Sequence, residues 1–300
     1  MHIEKMDEDG DLLVRDSLLA AFFSKRPYPT LAKAFGGVFE DWLSQTPDDA
    51  KKWAIIGPDA DEYKAFTSKH IARAKAEFDS ARAKTRDLSA LELGGPQKIN
   101  PDRKFTFIGA RDLDDDETNV LQIQSPSGEG EGANVEAYVE KVCRIAEQIP
   151  FDSGYATPAL VYGADAQKMD FAEAARKWAF RHPGFDMPNN GSTNSALGQK
   201  LRGAYWLTFV GPWALKKLGG GLGLRKSLPK EIEVQTVGDG VMLRVGKHPE
   251  VGDVNRGQKL PMLRTLAKVL EPVTLFDDSF LNSIFVDDAQ RARWERRHLD

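Results

Sequence analysis

Residues 205–221 read YWLTFVGPWALKKLGGG. How this stretch is read decides the fold. A glycine run ahead of a helix can cradle a phosphate, as in nucleotide-binding α/β folds. A glycine run behind a helix simply ends it. A phosphate loop needs G-x-x-x-x-G-K-[ST] between a strand and the helix that follows, and the chain contains no such string. The dinucleotide fingerprint needs glycines at n, n+2 and n+5. Gly219 and Gly221 supply the first two, but position 224 is leucine. The glycines also come after PWALKKL rather than before a helix. The stretch therefore predicts a buried strand (YWLTFV), a turn at Gly211 and a short helix opened by Pro212. Lys216 and Lys217 sit near the helix's negative end, and Gly219 is the left-handed residue just past it.

The flanking sequence supports an α+β reading. EIEVQTV and VMLRV both alternate with period two and are joined by GDG, which predicts a hairpin. LPMLRTLAKVLEP predicts a helix with Pro261 in its first turn and Leu263, Leu266, Val269 and Leu270 facing inward. DDAQRARWERRHLD predicts a short terminal helix with a basic face.

In the first half, LLVRDSLLAAFFSKR (12–26) is apolar and extended, as a strand pair or one strand entering a turn. Leu31, Phe35, Val38, Phe39 and Trp42 share one helical face, with Thr30 as the expected N-cap and Pro47 closing the segment. Gly36 and Gly37 inside that helix point to another element packed closely against it. KWAIIGP predicts a short strand and residues 60–84 one long polar helix. KFTFIGARD and NVLQIQSP predict two strands joined by DLDDDE. VEAYVEKVCRIAEQI follows the 3.6-residue period, TPALVYG predicts a strand, and residues 165–180 a helix. The expected architecture is a single α+β domain over residues 1–300, with a mixed, largely antiparallel sheet flanked by helices.

Bulk properties narrow the function. The 300-residue chain is 41% hydrophobic and 29% charged, as folded soluble proteins are. Its net charge of −4 argues against a general nucleic-acid binder. One cysteine, Cys143, allows no internal disulfide and no cysteine-rich zinc site. It reads as a thiol on a helix flank rather than a nucleophile. The N-terminus is acidic without an apolar core, and no stretch is long enough to span a membrane, so a cytoplasmic location without membrane association is expected.

Four segments carry a family resemblance. YWLTFVGPWALKKLGG has an aromatic strand, Gly-Pro, a short helix and a Leu-Gly-Gly stop. GKHPEVGDVNRGQKLPMLRTLAKVLEPV (246–273) places Gly-Asp-Val-Asn before a helix. FDSGYATPALVYG (151–163) has Ser-Gly-Tyr before a strand, and RWERRHLD closes the chain. In order and combination these resemble the DUF3396 family of type VI secretion immunity proteins, over about residues 150–300. The resemblance implies a cytoplasmic, non-catalytic antitoxin that binds a toxin encoded beside it. Such toxins include VRR-NUC and restriction-endonuclease-like nucleases. It implies no cofactor and no direct contact with nucleic acid.

Candidate contacts follow from the chemistry of a nuclease, which grips polyanionic DNA with lysine and arginine. Asp112, Asp114, Asp115, Asp116 and Glu117 lie within six residues of sequence. Such a run is either a solvated turn or an acidic plug for a basic groove. Glu129 and Glu131, in GEGEG, would add two carboxylates on a flexible tether at the same edge. Phe185 and Met187, in KWAFRHPGFDMPNNGSTNS, suit either a recognition surface or a packed loop.

No metal site is expected. The five histidines are scattered, and the acidic run lacks the order of a calcium loop. Asp253 and Asn255 in GDVNRG are expected to hold their own loop. Two other readings stand beside the antitoxin. An enzyme with an unrecognised site would show a deep pocket with convergent polar groups, and a partner of the secretion apparatus would leave toxin activity untouched.

Overall fold

The computed structural model describes residues 2–8, 10, 12–60, 62–94, 103–161, 168–276 and 284–300. Strand β1 (Glu4–Met6) is followed by β2 (Leu12–Ser24), a single thirteen-residue strand. The run LLAAFF within β2 decides the layering. Alternate residues of a strand point to opposite faces, so an unbroken apolar run has both faces covered. Leu18, Ala20 and Phe22 enter one core, while Leu19, Ala21 and Phe23 enter another, and none is more than 2% exposed. Fully burying each phenylalanine contributes about 1.5–3 kcal/mol.

Helix α1 (Tyr28–Gln45) buries the expected stripe of Leu31, Phe35, Val38, Phe39 and Trp42. It starts two residues before Thr30. Pro27 holds the N-cap position, and the Thr30 hydroxyl, already inside the helix, donates to the Pro27 carbonyl at 2.7 Å. A methyl group on Gly36 would stand 3.0 Å from Cβ of Phe78, which is the close neighbour that the Gly-Gly pair anticipated.

Strand β3 (Trp53–Ile56) is followed by a break in the expected 60–84 helix. The segment divides into β4 (Lys64–Ala65), α2 (Ser68–Ala76) and α3 (Ser80–Ala83). Thr67 and His70 form a capping box that starts α2. Asp79 then accepts the N–H groups of Ala81 and Arg82 and starts α3 afresh. Next come β5 (Leu88–Gly94), β6 (Lys104–Ala110), β7 (Asn119–Pro126), α4 (Asn134–Gln148), β8 (Ser153–Val161), α5 (Lys168–Arg181) and α6 (Asn190–Thr193). The ends of two expected segments, 162–163 and 165–167, lie outside the described residues.

The opening glycine stretch folds as β9 (Leu207–Val210), α7 (Pro212–Lys217) and a left-handed Gly219 at φ +84°. The stop is as expected, but the run also begins a new helix, α8 (Gly220–Ser227), which the sequence reading did not anticipate. The hairpin is β10 (Ile232–Val237) with β11 (Gly240–Val245), followed by α9 (Pro261–Leu270) and α10 (Asp288–Glu295).

The strands form one sheet in the order β10-β11-β9-β8-β2-β7-β6-β5-β3-β4, with β1 beside β2. Every ladder between these strands is antiparallel. Among the described residues, parallel pairing is confined to isolated bridges at Ala159–Asp186 and Leu201–Thr274. Helices α1 and α4 cover one face. The other is covered by α5 and α10, by α7 to α9, and by the loop leading to β9.

Candidate functional site

The β6–β7 connection carries the acidic run. Its backbone is pinned on several sides. The Asp114 carbonyl accepts the Lys25 ammonium at 2.6 Å and the Glu117 N–H at 3.1 Å, and the Glu117 carboxylate accepts the Asp114 N–H at 3.1 Å. Gly198 N–H donates to the Asp116 carbonyl at 2.8 Å. Thr118 and Asn194 exchange hydrogen bonds: Thr118 N–H donates to the Asn194 carbonyl at 2.8 Å, and the Asn194 amide returns one at 3.0 Å. Behind them, Asn119 accepts from Ala110 N–H and donates to the Arg26 carbonyl, both at 2.6 Å.

The result is a hydrogen-bonded loop that leaves its four aspartates exposed. Asp112, Asp114, Asp115 and Asp116 are exposed and Glu117 is half-buried. Arg111 bridges Asp87 and Asp112 at 2.8 Å each, which holds the guanidinium above even its ordinary range through the Asp112 hydrogen bond. Asp239, at the β10–β11 turn, stands 3.9 Å from Arg26. Lys25 and Arg26 directly follow β2, so this end of the sheet gathers Asp87, the acidic run and Asp239.

The other expected residues do not join this end. The eight residues of β7 separate the acidic run from Glu129, a span of roughly 27 Å at 3.4 Å per residue. Glu129 is not on a tether either. It sits in a short helical turn and pairs with Arg103 at 2.5 Å and Lys141 at 3.6 Å. Glu131 is exposed at that same distant end. Phe185 and Met187 are 2% and 0% exposed, so the structure takes the packed-loop alternative for them.

The two side chains pack with residues of β2, β8, α5 and α10, and a buried polar network that sequence reasoning missed holds the residue between them. Asp186 lies between Phe185 and Met187 and is fully buried. Tyr155 and Tyr205 donate their hydroxyls to its carboxylate at 2.8 and 3.1 Å, and Arg202 approaches at 3.3 Å. Arg202 also donates to the Met187 carbonyl and the Thr193 hydroxyl, both at 2.9 Å. Burial is the strongest single influence on Arg202 and acts to lower its pKa, but the Asp186 charge together with Tyr205 and Tyr155 outweighs it and keeps the guanidinium protonated. Burial and the same carboxylate push both tyrosines up. An aspartate flanked by apolar residues in FDMP is the only local sign of this. Its partners are contributed by β8 and the approach to β9.

Asp253 holds its own loop, as expected of GDVNRG. It accepts the Asn255 N–H at 3.0 Å and takes a fork from Arg181 at 2.8 and 3.0 Å. That fork lowers its carboxyl pKa to about 2. Cys143 is more deeply placed than a helix flank: it is 7% exposed, its thiol 3.5 Å from the Met242 sulfur, and burial pushes its pKa up to about 11. A thiol so shifted stays protonated and is a poor nucleophile. Among the described residues, no group of three or more His, Cys, Asp or Glu side chains stands in a metal-holding arrangement. No described helix is long and apolar enough to cross a membrane.

The comparisons with known proteins agree on one context. The TsiV family model, described as type VI immunity for VRR-NUC, matches residues 45–298. The solved structure of the Pseudomonas aeruginosa T6SS protein PA0821 superposes with a TM-score of 0.78 at 16% identity, covering 99% of this chain and 87% of that one. At that identity the likeness is one of fold. No curated protein matches the chain.

Proposed function

The chain belongs to the family of type VI immunity for VRR-NUC, and from that premise we propose that it binds its cognate VRR-NUC nuclease in the cytoplasm and blocks it by occlusion. The acidic end of the sheet is the contact face, with Asp112, Asp114, Asp115, Asp116 and Glu117 at its centre and Asp87 and Asp239 beside them. One observation carries this reading. The acidic loop is held by its backbone while its carboxylates remain exposed, so it is already ordered before any partner arrives. A pre-ordered acidic surface loses little conformational entropy on binding. It also steers a basic DNA groove toward itself and competes there with phosphates. Glu129 and Glu131 lie outside this face, and Phe185 and Met187 lie beneath the surface.

In this reading the protein catalyses nothing and leaves DNA alone. Its effector is a DNase encoded by a neighbouring gene, and the DUF3396 resemblance of its motifs belongs to the same account. The test is a titration of the purified protein into its neighbour-encoded nuclease while plasmid cleavage is followed. Cleavage is expected to cease near one-to-one, and a variant carrying Asp114→Lys, Asp115→Lys and Asp116→Lys is expected to need a large excess. Full protection by the variant would remove the acidic loop from the interface. Unaltered cleavage by the parent protein, with no co-elution, would overturn the immunity reading for that pair.

A further inference from the structure

Two segments singled out in the sequence, GDVNRG and RWERRHLD, meet around a cavity that the acidic face does not use. It has a volume of about 520 Å³ and is walled by the 254–260 loop, α9, α10 and the residues after α10. That volume lies within the range of about 300–1,000 Å³ for small-molecule sites.

The wall is cationic. Lys259, Arg264, Arg293 and Arg297 all line it, against one acidic side chain, that of Asp300. Asp300 is engaged elsewhere, because its side chain pairs with Arg296 at 3.3 and 3.4 Å. Arg297 lies flat on Trp294, 4.0 Å from the ring centroid, and donates to the carbonyls of Pro183 and Trp294. Arg264 donates to the main-chain oxygen of Asp300 at 2.8 Å. The other two cations are differently placed. Arg293 covers the Phe180 ring at 4.8 Å, yet neither it nor Lys259 has a hydrogen bond or ion pair among the described residues. Both are exposed at the rim.

His298 is the second sign. It is 5% exposed and lines the cavity, and its ring has no hydrogen-bond partner among the described residues. A buried imidazole normally finds one. Here a ligand would supply it. Leu260 and Trp294 give the same cavity an apolar wall.

We propose that this cavity binds a small organic oxyanion, a phosphate ester or carboxylate on a compact apolar body. The anion is gripped by Arg293 and Lys259, with His298 hydrogen-bonded to the ligand and the apolar body against Leu260 and Trp294. Guanidinium forks match both oxyanions. The proposal is independent of the effector-binding face, since no cavity residue belongs to the acidic end.

The test uses phenyl phosphate, benzoate, inorganic phosphate and phenol as probes on the full chain, at constant ionic strength set with chloride. Binding is read by calorimetry and by the ring signals of His298 in NMR spectra. Phenyl phosphate or benzoate is expected to bind and to move those signals, inorganic phosphate to bind more weakly, and phenol not at all. The double variant Lys259→Gln with Arg293→Gln changes only exposed side chains and should weaken binding about tenfold or more. His298→Gln, which keeps a hydrogen-bonding group, should weaken it less. Three outcomes would each overturn the proposal. One is that neither phenyl phosphate nor benzoate moves the His298 signals at about 10 mM. The second is that chloride alone reproduces the effect. The third is that binding persists undiminished in the double variant.

Discussion

Asp186 and Arg202 form an ion pair at 3.3 Å with side chains 0% and 6% exposed, and it ties the loop after α5 to the approach to β9. Two tyrosine hydroxyls on Asp186, and the Met187 carbonyl, the Thr193 hydroxyl and the Asn190 amide oxygen on Arg202, add further hydrogen bonds. Removing one partner of such a pair leaves the other charge stranded in the interior. Arg202→Met is therefore expected to cost about 3–5 kcal/mol in urea unfolding, and adding Asp186→Asn should recover part of that loss. A cost under about 1 kcal/mol would show that the loop is held by apolar packing instead.

Gly109 in β6 faces Tyr28 so closely that a methyl group there would stand 2.2 Å from the ring. Tyr28 cannot easily retreat, because it stacks on Phe107 and donates to the Glu77 carbonyl at 2.7 Å. Gly109→Ala should cost about 1–3 kcal/mol through overpacking. Gly128→Ala, with nothing within 4 Å, is the control and should stay within about 0.5 kcal/mol of the parent. Equal unfolding midpoints for the two variants would refute the packing argument.

His298 sets a pH dependence. Burial, followed by the nearby charges of Arg297 and Arg264, holds its pKa well below the usual histidine range. The unfolded chain therefore takes up this proton first, at about pH 6.5. The stabilisation is complete above that pH and declines as pH falls through it toward the folded value. Thermal melts from pH 8 to pH 5 should show the decline, and His298→Gln should flatten it. Identical profiles would assign the acid sensitivity to other groups.

The acidic loop should act on the association rate more than on the dissociation rate. Replacing Asp114, Asp115 and Asp116 with lysine is expected to slow binding to the nuclease by at least about tenfold at low salt. The difference should shrink as salt rises toward 0.5 M, where screening acts over only a few ångströms. Stopped-flow rates at several salt concentrations decide it, and a salt-independent difference would mean direct contact without steering.

Much of the fold was legible because its signals are local. The 232–245 hairpin, the α4 and α9 helices and the stop at Gly219 each rest on a period or a turn within a dozen residues. The 60–84 segment misled because its polar composition hides two helix starts, one at Thr67 and one at Asp79. Phe185 and Met187 read equally well either way, since what buries them is an apolar cluster drawn from β2, β8, α5 and α10, most of it distant in sequence. GEGEG looked like a neighbour of the acidic run because sequence distance is short, whereas β7 places the two at opposite ends of the sheet. The acidic run itself was visible. The hydrogen bonds that hold it were not, because Lys25, Asn194 and Gly198 are all distant in sequence.

The strand order has a consequence for how the chain comes into being. β2, at the middle of the sheet, leaves the ribosome long before β7 and β8, the two strands that flank most of its length. Its partner β7 begins at Asn119 and its other partner β8 at Ser153. For much of synthesis, an apolar segment destined for burial on both sides waits with both edges bare. The nascent chain is thus most open to chaperone capture or misassociation until β7 and then β8 have emerged, and slowing translation ahead of β7 would prolong that exposure.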